Sequence, residues 1–429
     1  MESSSIQKML LQAIHAQLPS YLSDWRCIST YFYTLPEPEI QEVLLTLLPC
    51  HGFTAQKLDQ NLPIIYAEYA TNAPHTVLFV LTYQAESLLP RAQHLISPLV
   101  SQMAAIQIYQ THIGHLPLNL KWLFIDKNMP DHAAFIRLMT DHHSLLQADT
   151  CIFYTTKQEI SQQVALPELS LGMKGHLQVE LTIQTAQRAI PAGYGAIAPN
   201  AAWQLVWGLQ SIKDSHEEIL IEGFYDMLLP PEDETIESIT QFPNTTSQHT
   251  EQWGTKQLLL GLNGIQQHYA HFLTPTCTIT EFHSPVPTNN AETATTIPST
   301  ANARLDFQLV PDQNPSIIFS RLQQQLAPYN VQAHLLAATL PHYTSIKKPF
   351  AQHLHNSLYT AYQQTPILIP LSTQTDVYEQ IIHNQLAIPT LRLALPSLGE
   401  EPEQQTQHLV HTIYQQALFF ASSDSTKRP

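Results

Sequence analysis

Residues 76–83 read TVLFVLTY, and only Thr76 and Thr82 interrupt the apolar run. Side chains alternate faces along a strand, so apolar residues at nearly every position mean a strand buried on both sides. Outward from it, 63–69 (PIIYAEY), 118–125 (LNLKWLFI) and 150–155 (TCIFYT) read as further strands. Between them lie helices at 37–48 (EPEIQEVLLTLL), about 97–111 and 131–146. The first has Pro36 and Pro38 at its start and is closed by Gly52. Strands alternating with helices predict an α/β fold with a doubly covered sheet. A helix is also predicted at the start, with Ile6, Met9, Leu10 and Ala13 on one face.

After Gly175 the period changes. Leu177, Val179, Leu181 and Ile183 alternate with polar residues, as do Ala303, Leu305, Phe307 and Leu309. That is the pattern of half-exposed antiparallel strands. A helix beginning after Pro199–Asn200 carries Trp203, Val206, Trp207 and Leu209. The two tryptophans are expected in a core or at a dimer contact rather than in a ligand box. Stretches 229–256 and 284–300 read as exposed loops. From about 345 the first pattern returns, with a helix at 348–363, a strand at 388–395 (IPTLRLAL) and a closing helix at 403–421 that sets Leu409, Val410, Ile413, Ala417 and Leu418 inward. The expected organisation is an α/β domain of 1–175 and 341–429, interrupted by a smaller α+β lid at 176–340.

A chain of 429 residues has room for two or three domains. Its formal charge of −16 leaves no basic footprint for nucleic acid. No apolar run reaches about 18 residues, so no membrane span is expected. The first residues lack the marks of a signal peptide, and the cytoplasm is the expected location. Cys27, Cys50, Cys151 and Cys277 are far apart and form neither a disulfide nor a zinc framework. Only 12 residues are glycine, and no P-loop, G-x-G-x-x-G, G-x-S-x-G or H-E-x-x-H occurs. Of the 22 histidines, His142/His143, His112/His115 and His408/His411 lie close in sequence. His51, His75, His342 and His353 are isolated. All are expected to be solvated or hydrogen-bonded.

Six stretches carry a family resemblance: 116–124 (LPLNLKWLF), 168–181 (ELSLGMKGHLQVEL), 194–203 (YGAIAPNAAW), 223–231 (GFYDMLLPP), 262–265 (LNGI) and 297–315 (IPSTANARLDFQLVPDQNP). Together they resemble the di-zinc metallopeptidases that include carnosinase, glutamate carboxypeptidase, aminoacylase and succinyl-diaminopimelate desuccinylase, over nearly the whole chain. The resemblance implies a zinc-exopeptidase-like mixed sheet with an inserted lid that pairs into a homodimer. It also implies two zinc ions that polarise a carbonyl and supply a hydroxide nucleophile.

The family's chemical residues are replaced here. Its first H-x-D pair falls on Thr82 and Gln84. Its bridging aspartate falls near His94, and no D-D-K-G occurs. Its general base falls on Asn128 and the adjoining metal ligand on Met129, beside Lys127. The next metal acid falls at Thr155, the lid histidine at Ile190, and the last histidine near Glu400. Zinc is therefore not expected unless the site has been rebuilt. The expected function is that of a non-catalytic, pseudoenzyme relative acting as a binding, regulatory or scaffold protein, with a homodimer through the lid and a protein or small ligand as partner. A rebuilt dipeptidase-like amidohydrolase using His94, Asp126 and Glu400 is the first alternative. The second is a metal-free small-ligand binder whose interdomain cleft is lined by Thr82, Gln84 and Asn128.

Overall fold

The computed structural model describes residues 20, 23, 37–83, 92–126, 129, 132–155, 166–226, 228, 230–284, 295–394 and 412. The first-residue helix and nearly all of the closing helix lie outside them.

Helix α1 (Glu37–Cys50) buries Ile40, Leu44 and Leu48, which repeat along one face. Strands β1 (Thr54–Lys57), β2 (Ile64–Tyr69), β3 (Thr76–Tyr83), β4 (Asn119–Asp126) and β5 (Thr150–Thr155) follow, interleaved with helices α2 (Ala92–His112), α3 (His132–Asp141) and α4 (His143–Leu146). The single helix expected over 131–146 is thus two pieces. His142 leaves helical geometry between them, at φ −101° and ψ 17°. Strand β6 (Glu168–Ser170) leads through the short β7 (Gly172–Met173) into a second sheet.

The second sheet is built from β8 (Gly175–Gln184), β10 (Thr276–His283), β12 (Thr300–Leu309) and β13 (Gln332–Thr339), all antiparallel, in the order β10-β12-β8-β13. A two-residue pair, β9 (Ile190–Pro191) with β11 (Thr296–Ile297), lies beside it. The odd-numbered residues 177–183 and 301–309 face inward, as their alternation predicts. Helices α5 (Ala201–Ile212) and α9 (Pro315–Leu326) cover that face with Leu205, Ile212, Ile318, Leu322 and Leu326. Asn200 caps α5 by accepting a bond from the Trp203 amide at 3.2 Å.

Residues 229–256 are not simply a loop. They contain helices α6 (Asp233–Thr240) and α7 (Thr246–Trp253), followed by α8 (Ile265–Leu273). The buried side of α6 is Thr235, Ser238 and Ile239, so hydroxyls stand where an apolar stripe would be read. Ser238 remains satisfied by donating to the Thr235 carbonyl at 2.8 Å. Gly254, at φ 66°, supplies the left-handed residue that ends α7.

The chain returns through β14 (His342–Tyr343), then α10 (Pro349–Tyr362), β15 (Ile367–Ile369), α11 (Val377–Leu386) and β16 (Thr390–Ala394). The main sheet has the order β1-β2-β4-β3-β5-β16-β6-β15 and is mixed. Each of its faces has its own core. Phe79, Trp122, Phe124 and Tyr154 stack on one, with Phe79 and Trp122 centroids 5.0 Å apart. Leu78, Val80, Leu123 and Phe153 pack beneath Phe135 and Ile382 on the other.

Exit and return run side by side, because β7 and β14 pair with Met173 opposite His342 and Gly172 opposite Tyr343. The approach is close enough to require glycine. A Cβ on Gly172 would overlap the His342 carbonyl oxygen and lie 2.8 Å from the Tyr343 Cα. Between the sheets, the buried Lys174 ammonium donates to the His271 and Thr274 carbonyls, both at 2.7 Å. It thereby satisfies oxygens that the end of α8 leaves open.

Candidate functional site

Strands β3, β4, β5 and β16 run parallel, so their carboxyl ends share one edge of the main sheet. In open α/β sheets that edge is where ligands bind. Tyr83 lies opposite Asp126, Thr82 opposite Ile125, and Thr155 opposite Ala394. Thr82, Asp126 and Thr155 are therefore brought to one edge.

Asp126 is buried, and Thr82 and Thr155 are half-buried. Met129 follows in a turn in which its amide donates to the Asp126 carbonyl at 3.3 Å. Its side chain does not face the edge as a ligand would, but packs in the core with Phe135 and Tyr378. The Tyr378 hydroxyl donates to the Met129 carbonyl at 3.2 Å. Burial first, then the charges of Asp376 and Asp126, push that phenol up to about 12. It therefore stays protonated and can keep donating.

His94 falls within α2, but its side chain lies outside the described residues, as do Gln84, Lys127, Asn128 and Glu400. Ile190 is half-buried in the β9–β11 pair, opposite Ile297. An aliphatic side chain there has no donor or acceptor to offer a neighbouring site. The described edge thus presents the hydroxyls of Thr82 and Thr155 and two buried carboxylates, Asp126 and Glu168, the latter opposite Ala394, with the thioether turned into the core. A zinc pair needs several histidine or carboxylate ligands and a bridging acid, and these side chains do not fit it. Among the described residues, no group of three or more His, Cys, Asp or Glu side chains could hold a metal ion.

A second polar group was not read from the sequence. Arg392, on β16, is buried and donates from Nε to a Glu379 oxygen at 2.8 Å, with its Nη2 2.6 Å from the same oxygen. Its Nη1 donates to the Ser372 hydroxyl and the Gln374 carbonyl, both at 2.8 Å. The His342 Nε2 lies 3.1 Å from the other Glu379 oxygen, and the His342 ring stacks on His383 at 4.4 Å. His342, isolated in the sequence, is thus a buried member of an ion cluster. The readable signal was a lone cation inside the apolar strand IPTLRLAL. Burial lowers the pKa of His383, and the charge of His342 adds to this, to about 4. Because β14 carries His342 and α11 carries Glu379, the cluster fastens the returning strand to the main sheet.

Helix α5, which covers the inserted sheet, exposes an aromatic face. Trp203 and Trp207 stack with centroids 6.1 Å apart and are 57% and 50% exposed, with Val206 exposed beside them. They are not core residues, because α5 turns Ala201, Leu205, Gly208 and Ile212 inward instead.

Residues 171–334 match the model of a peptidase dimerisation domain. Among curated proteins, none matches the chain significantly. Three solved structures share its architecture. An M20 family metallo-carboxypeptidase from Sulfolobus solfataricus has a TM-score of 0.72 at 23% identity, over 89% of this chain and 94% of that one. The di-peptidase Dug1p of Saccharomyces cerevisiae has 0.65 at 14%, over 98% and 99%. Human carnosine dipeptidase 1 has 0.63 at 15%, over 96% and 99%. The resemblance is thus supported: residues 171–334 match a peptidase dimerisation domain, and over nearly the whole chain the fold is similar to that of these peptidases.

Proposed function

We propose that the protein is a non-catalytic relative of the di-zinc peptidases that works by binding, as a regulatory or scaffold component. In this reading 1–175 and 341–429 form the main domain, and 176–340 is a lid through which two copies pair. The observation that carries it is the strand-end edge. At the positions where the family holds metal, Thr82 and Thr155 offer neutral hydroxyls and Met129 is a core residue. A zinc-bound hydroxide needs both a ligand set and a base to take its proton. Asp126 and Glu168 are the described carboxylates at this edge, neither at a position where the family holds metal, and among the described residues they belong to no group of three or more metal-binding side chains.

The hydroxyls of Thr82 and Thr155 suit a polar ligand, and dipeptides are the natural first probes, since two of the similar structures are dipeptidases by name. The test is metal content after zinc loading and desalting, together with dipeptide hydrolysis. Near-zero zinc per chain and no metal-dependent turnover are expected. One or two bound zinc ions with turnover would sink the proposal. If both disappear in His94→Ala, the site has been rebuilt.

A further inference from the structure

Helix α6, helix α10 and the edge strand β15 surround a cavity of about 580 Å3. That is the size of a small-molecule pocket. In the sheet order it lies four strands from β3, or roughly 19 Å from Thr82 at about 4.8 Å per strand. None of Thr82, Asp126, Thr155 or Glu168 lines it, although Glu168 on the neighbouring β6 pairs with the lining residue Ile367. Its wall is largely apolar, with Leu166, Phe242, Pro366, Ile367 and Leu368 among the lining residues. A small core of Ile239, Phe272 and Ile369 supports it.

The charge on this wall is one-sided. Glu234 and Glu237 line the cavity from α6, and residues three apart on a helix share a face. Glu234 is paired with Lys347 at 3.0 Å. Glu237 is exposed, and among the described lining residues there is no Lys or Arg. His355 enters from α10. Burial lowers its pKa, against a hydrogen bond with Asn356 that raises it. At neutral pH the imidazole is therefore uncharged and able to accept a hydrogen bond. An anion would meet the Glu237 carboxylate with no Lys or Arg among the described lining residues to offset it, the donors of Ser238, Gln241 and Thr365 being neutral, and a wholly apolar ligand would strip water from Glu237 without replacing it.

We propose that this cavity binds a small organic ammonium ion on an apolar body, with the ammonium directed to Glu237 and His355 and the body against Phe242, Pro366 and Leu368. An ammonium donates three hydrogen bonds and accepts none, which suits a wall of carboxylate and neutral imidazole.

The test compares 2-phenylethylamine with 3-phenylpropionate, of nearly the same shape and opposite charge, by calorimetry and saturation-transfer NMR on the full chain. The ammonium is expected to bind saturably and the carboxylate not to bind. Glu237→Gln should weaken the ammonium by about fivefold, the scale of a partly exposed charge contact. Thr365→Trp should block it by filling the rim. Both residues are exposed, so both variants should keep the circular dichroism of the parent. No saturable ammonium binding, equal binding of the two probes, or unchanged affinity in either variant overturns the proposal. None of these outcomes depends on whether zinc or a dipeptide binds at the strand ends.

Discussion

Glu379 has no exposed side-chain surface. Burial alone would raise its carboxyl pKa, but the charge of Arg392 and the bond and charge of His342 outweigh it and hold the group at about 2. Glu379→Gln would leave the Arg392 guanidinium buried without its anion. The expected loss is about 3–5 kcal/mol in urea unfolding at neutral pH, and a loss below about 1 kcal/mol would contradict a buried pair. The pH dependence has two parts. His383 is held below its unfolded value of about 6.5, so the unfolded chain takes up that proton first. Its contribution is full above that value and is lost as pH falls toward about 4. Glu379 contributes above its unfolded value of about 4.3, and that contribution is lost as pH falls toward about 2. Urea midpoints should therefore decline in two stages on acidification, and Glu379→Gln should remove the lower stage.

The paired elements β7 and β14 make the next test. Gly172→Ala places a methyl group against the backbone of His342 and Tyr343, where no side chain can yield. Overpacking of this kind costs roughly 1–3 kcal/mol, and thermal unfolding should show it, whereas Ala at Gly193, where a Cβ meets nothing, should change little. How far such elements can be read from sequence depends on what they bury. Strands β3, β4 and β5 were legible because both faces are apolar, and β8 and β12 because one is. Helix α6 was not, since Thr235 and Ser238 occupy its inner side, and α7 buries no residue at all. Helix α11 was readable and missed: Asp376 caps it through the Tyr378 amide at 3.0 Å, and Tyr378, Ile381, Ile382 and Leu386 form its stripe. At the strand ends, the positions of Thr82, Asp126 and Thr155 followed from strand boundaries. The inward turn of Met129 did not, because it depends on Phe135 and on Tyr378, far along the chain.

For the whole molecule, the exposed Trp203–Trp207 pair lies within the matched dimerisation domain, and adjacent exposed aromatics of this kind favour a protein contact. If the proposed homodimer uses this face, Trp203→Asp with Trp207→Asp should convert dimer to monomer in sedimentation equilibrium while helix content is unchanged. A monomeric parent would end the idea. The side-by-side run of β7 and β14 has a further consequence, for the entropy of folding. Were the intervening segment a slack loop, bringing its ends together would cost about 4–5 kcal/mol by chain statistics. Once that segment has folded on its own core, its ends already stand one strand spacing apart, and most of this closure entropy has been settled within the insert. Strands β6 and β16 then meet as if a tight turn joined their halves of the chain, although the distance between them in sequence is among the longest in the molecule.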